Sequence, residues 1–165
     1  MANMYLMCGL SGCGKTTFSK DFADKYHLLR FGVDDYYAII NGDECIHENT
    51  FDVWIKLFKD IHDAESKGRD CIVDTNALSW HQRMQFIEWF PTFNHHLIVI
   101  ESKENLRRKN NKSRRRQIPE QKMDEMLITW ERPSIEKDTK WKSITYIWNE
   151  NNNFGDPITV INQHN

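Results

Sequence analysis

The stretch from Met4 to Thr17 constrains the fold more than any other part of the chain. It joins an apolar run of strand length to a glycine-rich turn and then to a helical composition. The turn reads Gly9-Leu10-Ser11-Gly12-Cys13-Gly14-Lys15-Thr16-Thr17, which has the spacing G-x-x-x-x-G-K-T of a phosphate-binding loop. Glycines there let successive backbone N–H groups converge on phosphate oxygens without interference from Cβ atoms. The helix that follows adds its free N–H groups and the positive end of its dipole. In such a loop Lys15 reaches the β- and γ-phosphates and the Thr16 hydroxyl ligates Mg²⁺. The expected cofactors are therefore ATP and Mg²⁺, and Gly9 through Thr17 are the expected nucleotide-binding residues.

The rest of the chain alternates strand and helix patterns. Short apolar runs at His27–Val33, Asp70–Asp74 and His96–Glu101 read as further strands, Ser143–Trp148 as a fifth, and Ile158–Ile161 as a candidate sixth. Helical spacing covers Lys15–Lys25, with Phe18 and Phe22 facing the sheet, and Asn49–Lys67. Tyr36–Ile40 begins a helix or turn that stops at Asn41-Gly42-Asp43. Ser79 is the expected N-cap of a helix over Trp80–Phe90. Helices are also expected over Ser102–Lys109 and from Pro119 to Trp130, and Ile135–Trp141 is expected to add a turn or two. This order predicts a three-layer α/β/α sandwich around a mostly parallel five-stranded sheet, the P-loop NTPase/kinase fold, as one domain over 1–165. The six tryptophans are expected to lie mostly in the core.

Composition bounds the setting. A net charge of −2 argues against wholesale coating of nucleic acid. Neither a signal peptide nor an apolar run of membrane-spanning length is visible, and the four cysteines form no C-x-x-C pair, so a cytoplasmic protein with reduced thiols is expected.

Open α/β sheets bind ligands at the carboxyl ends of their strands. The phosphate loop, Asp34-Asp35 and Asp74-Thr75-Asn76 all fall at such ends. Phosphoryl transfer to a hydroxyl needs a group that accepts the proton and aligns the oxygen with the γ-phosphate. Asp34 is the first candidate for this base and Asp35 the second, with Asp35 also a candidate for a structural or metal-linked role. Asp74 is a candidate to hold a Mg²⁺-bound water or orient the acceptor, together with Asn76. Between the fourth strand and the next helix, residues 107–116 carry seven cations in ten positions. This is the expected lid, about 105–118, whose arginines stabilise charge on the transferring phosphate. Arg107, Arg108 and Lys109 are expected farther from ATP than Arg114, Arg115 and Arg116. Their surplus charge points to a second phosphate-bearing ligand.

Several of these segments together are similar, in order and spacing, to the kinase domain of phage-type polynucleotide 5′-kinases. They are Gly9–Thr16, Val33-Asp34-Asp35-Tyr36, Asp74-Thr75-Asn76, the Arg-rich segment with Ile118-Pro119, and the helix ending at Trp130-Glu131-Arg132-Pro133. The resemblance covers roughly 4–135. It implies Asp34 as the base, Asp74 as an active-site carboxylate, and one of Arg114, Arg115 and Arg116 as the lid arginine. In that family an Asp-Asp-Tyr-Arg motif ends in an arginine that helps hold the acceptor; here that position is Tyr37. The same motifs resemble the wider set of small P-loop kinases, including zeta-toxin-like and antibiotic kinases. The expected activity is transfer of the γ-phosphate of ATP to a hydroxyl, the 5′-OH end of RNA or DNA first and a small metabolite, nucleoside or antibiotic second. A nucleotide-binding regulatory ATPase is a third possibility.

Overall fold

The structure is a computed structural model that describes residues 1–163. Its strands and helices follow in the order β1 (Asn3–Cys8), α1 (Lys15–Tyr26), β2 (Leu29–Gly32), α2 (Val33–Asn41), α3 (Thr50–Ser66), β3 (Cys71–Asp74), α4 (Trp80–Trp89), β4 (Asn94–Ser102), α5 (Glu104–Ser113), α6 (Glu120–Thr129), β5 (Ser143–Glu150), β6 (Asn153–Phe154) and β7 (Ile158–Ile161). The strands form one sheet in the order β2-β3-β1-β4-β5-β6, with β7 also on β5. The first five are parallel, and β6 and β7 pair antiparallel to β5. Among the described residues the sheet thus has seven strands where the sequence predicts five and a candidate sixth. The polar Asn149–Asn153 segment turns β5 back on itself, and the chain's last strand lies along its edge.

Central strands must be apolar where both faces are covered, and the middles of β1 and β4 are: Met4, Leu6, Met7, Cys8 and Leu97–Ile100 are all inaccessible or nearly so. One face of the sheet packs Met7, Ile72, Ile98, Ile100 and Ile147 against Ala23, Phe18 and Phe22 of α1. The i, i+4 pair Phe18–Phe22 stacks at 5.7 Å, as its spacing requires. The other face packs Leu6, Val73, Leu97, Val99 and Ile144 under Tyr36 and Tyr37 of α2, Val53, Leu57 and Ile61 of α3, and Phe86 of α4. Helices on both faces of a parallel sheet make the three-layer sandwich.

Ser79 caps α4 as expected, in a capping box with Gln82. Ile135–Trp141 adds turns as expected, and the Asp138 carboxylate there folds back onto the Ser134 N–H and is bound by the buried Arg83. One other expectation needs correction. Of the tryptophans only Trp141 is fully buried, while Trp80, Trp89 and Trp148 are exposed. Their spacing fits a core, but an indole on the rim of a helix or edge strand satisfies the same spacing.

Candidate active site

The phosphate loop connects β1 to α1, and left-handed glycines shape it: Gly12 at φ 83° and Gly14 at φ 103°. A side chain at Gly14 would meet Asn149 Nδ2 at 2.8 Å and the Phe154 ring at 3.1 Å, so both backbone conformation and space demand glycine there. The Lys15 ammonium lies inside the loop, donating to the carbonyls of Gly9 (2.8 Å) and Leu10 (2.9 Å), and the residue is buried. Thr16 and Thr17 stand exposed at the first turn of α1. Two asparagines brace the loop from outside. Asn110 of α5 donates to Gly12 O and Asn149, at the end of β5, donates to Cys13 O, each at 2.8 Å. From the other side Asn76 O accepts the Gly9 N–H at 3.0 Å, which ties the loop after β3 to the phosphate loop.

Asp34 lies in the first turn of α2, directly after β2. Arg114 and Arg116 each reach it at 3.6 Å, and His47 Nε2 stands 3.7 Å from it. Arg115 turns away to Asp43 at 2.6 Å. The geometry therefore separates the three adjacent arginines: two converge on Asp34 and one does not. His47 stacks on the Tyr37 ring at 3.7 Å. Its pKa is held below the ordinary histidine value by burial and then by Arg116, with Asp34 opposing both. Tyr37 is itself buried, and its hydroxyl donates to Thr50 Oγ1 at 3.1 Å. It backs His47, which is the side chain facing Asp34.

Arg30 of β2 joins the other carboxylates. Its guanidinium binds Asp35 and, at 2.5 Å, Asp74 Oδ2, while its Nε donates to Ser19 of α1. Asp74 is buried at the end of β3, and its bond to Arg30 uses one oxygen. A Mg²⁺ ion that keeps several waters and binds nucleotide phosphates needs only one or two protein oxygens. The exposed Thr16 hydroxyl and the remaining Asp74 oxygen suit that donor set.

The basic segment differs from expectation. Helix α5 runs to Ser113, so Arg107, Arg108, Lys109 and Lys112 are helical and only Arg114–Arg116 belong to the connection before α6. Arg107 is not the remote cation the sequence predicts: its backbone packs against Gly12 of the phosphate loop. Arg108 is tied to Glu104, Glu120 and Asp124. Of the three cations expected to be spare for a polyanionic ligand, Arg108 is thus engaged within the chain.

Sequence reasoning missed Arg30, His47, Asn110 and Asn149. Arg30 left a signal, a single cation inside an apolar strand. The others left none, since their roles arise only where β5, α5 and the α2–α3 connection meet the loop.

A profile of the family described as AAA domain matches residues 4–133. No curated protein sequence matches the chain significantly. Solved structures share the fold at low identity. A sugar kinase from Janibacter sp. HTCC2649 superposes with a TM-score of 0.66 at 17% identity, over 90% of this chain and 86% of that one. A gluconokinase from Sinorhizobium meliloti 1021 gives 0.61 at 15%, over 88% and 82%. A chain of the Pnkp1/Rnl/Hen1 RNA repair complex gives 0.67 at 16%, over 78% of this chain and 43% of that one. The fold is that of the P-loop kinases, as the sequence predicts. Among the described residues no helix is long and apolar enough to cross a membrane.

Proposed function

The chain belongs to this AAA domain family, and from that premise we propose that it transfers the γ-phosphate of ATP to a hydroxyl group of a small polar molecule. The observation that carries the proposal is the convergence of Arg114, Arg116 and His47 on Asp34 at 3.6–3.7 Å, at the same end of the sheet as the phosphate loop. The arginine cations pair with the Asp34 carboxylate, and once they turn to the phosphates of a bound nucleotide the carboxylate is free to take a proton next to the transferring phosphoryl group.

In this account the loop N–H groups and Lys15 hold the triphosphate, and Thr16 with Asp74 would hold Mg²⁺, whose charge would offset that of the phosphates. Arg114 and Arg116 move from Asp34 to the phosphates as ATP enters, which frees the carboxylate. Asp34 then accepts the proton of the acceptor hydroxyl, the oxygen attacks the γ-phosphorus, and ADP leaves. Arg30 holds Asp35 and Asp74 as a unit and keeps two adjacent carboxylates from repelling the nucleotide. His47, backed by Tyr37, lines the acceptor side of Asp34.

Two features favour a small acceptor: the intramolecular engagement of Arg108 and Arg115, and Tyr37 in place of an arginine. A second reading, the 5′-OH end of RNA or DNA, is favoured by the motifs Asp34-Asp35-Tyr36 and Asp74-Thr75-Asn76 and by the likeness to a chain of an RNA repair complex. A screen with γ-labelled ATP against sugars, sugar acids, nucleosides, aminoglycosides and 5′-OH oligonucleotides tests both. Acceptor-dependent label transfer to a small molecule is the expected result. Transfer to oligonucleotides alone would replace the first reading with the second, and nucleotide hydrolysis indifferent to every acceptor would overturn both.

A further inference from the structure

Arg107 is only 7% exposed, its Nε has no hydrogen-bond partner, and its guanidinium forms no ion pair among the described residues. The acidic side chains around it are taken. Glu104 pairs with Arg108, and Glu101 accepts two hydrogen bonds from Arg132, each at 2.8 Å. Burial pulls the Arg107 pKa down, yet a guanidinium stays protonated in proteins. A charge removed from water is strongly disfavoured unless an opposite charge meets it.

Arg107 lines a cavity of about 120 Å³ whose walls include Leu10, Ile100, Ser102, Trp130 and Trp148. That is several times the ~30 Å³ share of one water in the liquid. The Ser102 hydroxyl is buried and likewise without a partner, so the cavity presents a second unused donor. The other walls are two indoles, Leu10, Ile100 and Cys13, which suit a short hydrocarbon body and not a heavily hydrated phosphate, and Glu101, whose carboxylate is already held by Arg132. A planar carboxylate matches a guanidinium in geometry as well as charge.

We propose that this cavity binds a short-chain carboxylate, its head on Arg107 and Ser102 and its alkyl tail against Leu10, Ile100 and the two indoles. The occupant abuts the phosphate loop, because Leu10 belongs to the loop and the Arg107 backbone packs against Gly12. The site is separate from the Asp34 cluster and does not depend on what Asp34 does.

The test is the melting temperature of the nucleotide-free protein titrated with sodium propionate against sodium chloride at equal ionic strength. Wild type is expected to show a saturable rise with propionate and none with chloride. In Arg107→Gln the apparent affinity should fall by about tenfold or more, the worth of a charge-assisted hydrogen bond at a buried site. Ser102→Ala should weaken it by a smaller factor. Propionate that stabilises Arg107→Gln as well as wild type binds elsewhere, in the phosphate loop for instance, and would overturn the proposal. So would a wild-type response equal to that of chloride. If Arg107→Gln does not fold, Ser102→Ala decides: a weaker affinity supports the site, and an unchanged one removes it.

Discussion

The side chains of Arg83 and Asp138 are wholly inaccessible to solvent and bind each other. Arg83 Nε donates to Asp138 Oδ1 at 2.9 Å and Nη2 to Oδ2 at 3.3 Å, while Nη1 donates to the carbonyls of Ala77, Leu78 and Glu131. One guanidinium thus pins the loop that follows β3 to the segment after α6. Asp138→Asn keeps the volume and removes the charge, leaving a buried guanidinium uncompensated. Breaking such a pair from one side costs about 3–5 kcal/mol. For a domain of this size each kcal/mol moves the melting temperature by about 2–4 °C, so a drop of about 6–20 °C is expected. The paired substitution Arg83→Met with Asp138→Leu removes both charges and should lose less than Asp138→Asn alone, although it leaves three carbonyls without their donor. Calorimetric melting of the three proteins measures this directly. A shift of less than about 2 °C in Asp138→Asn would show that the pair is not the anchor described.

Two further perturbations probe the loop and the core. Gly14→Ala places a methyl 2.8 Å from Asn149 Nδ2 at φ 103°; urea denaturation should show a loss of about 1–3 kcal/mol, and ATP affinity by titration calorimetry should fall with it. His95 is buried and its pKa is depressed from 6.5 to about 4, so the unfolded chain binds the extra proton between those values. Stability is then full above pH 6.5 and declines as pH falls toward 4, by up to about 3 kcal/mol. In urea melts at pH 7 and 4.5, His95→Gln should show a smaller acid loss than wild type, and an equal loss would refute the assignment.

What the sequence disclosed and what it withheld divide along physical lines. The phosphate loop was legible because its chemistry is local: three glycines, a lysine and a threonine act within one turn. The N-cap at Ser79 was legible for the same reason, whereas the reciprocal bond from Gln82 that completes its capping box was not part of that reading. The parallel core was legible because strands must be apolar where both faces are covered. Arg107 was misplaced because a run of cations looks uniform in sequence, whereas a helix distributes it around its axis. That puts Arg107 against the loop, Arg108 among three carboxylates, and only Arg114 and Arg116 near Asp34. Asn110 and Asn149 lie 98 and 136 positions from the carbonyls they brace, a separation that no local pattern bridges. Strand β6 was not legible because two residues, Asn153 and Phe154, carry no periodic signal, whereas the apolar run of β7 was legible as a candidate sixth strand.

The central claim is that Asp34 is the base of a phosphoryl transfer for which the phosphate loop holds the donor. Its most direct test is single-turnover transfer from γ-labelled ATP to the best acceptor of the screen, in wild type and Asp34→Asn, with ATP binding measured in parallel. The account predicts a transfer rate lower by about 10²–10⁴ in Asp34→Asn, the worth of a positioned base, with ATP affinity no weaker than wild type because the loop is untouched. A rate within a few-fold of wild type, or a loss explained wholly by weaker ATP binding, would contradict it.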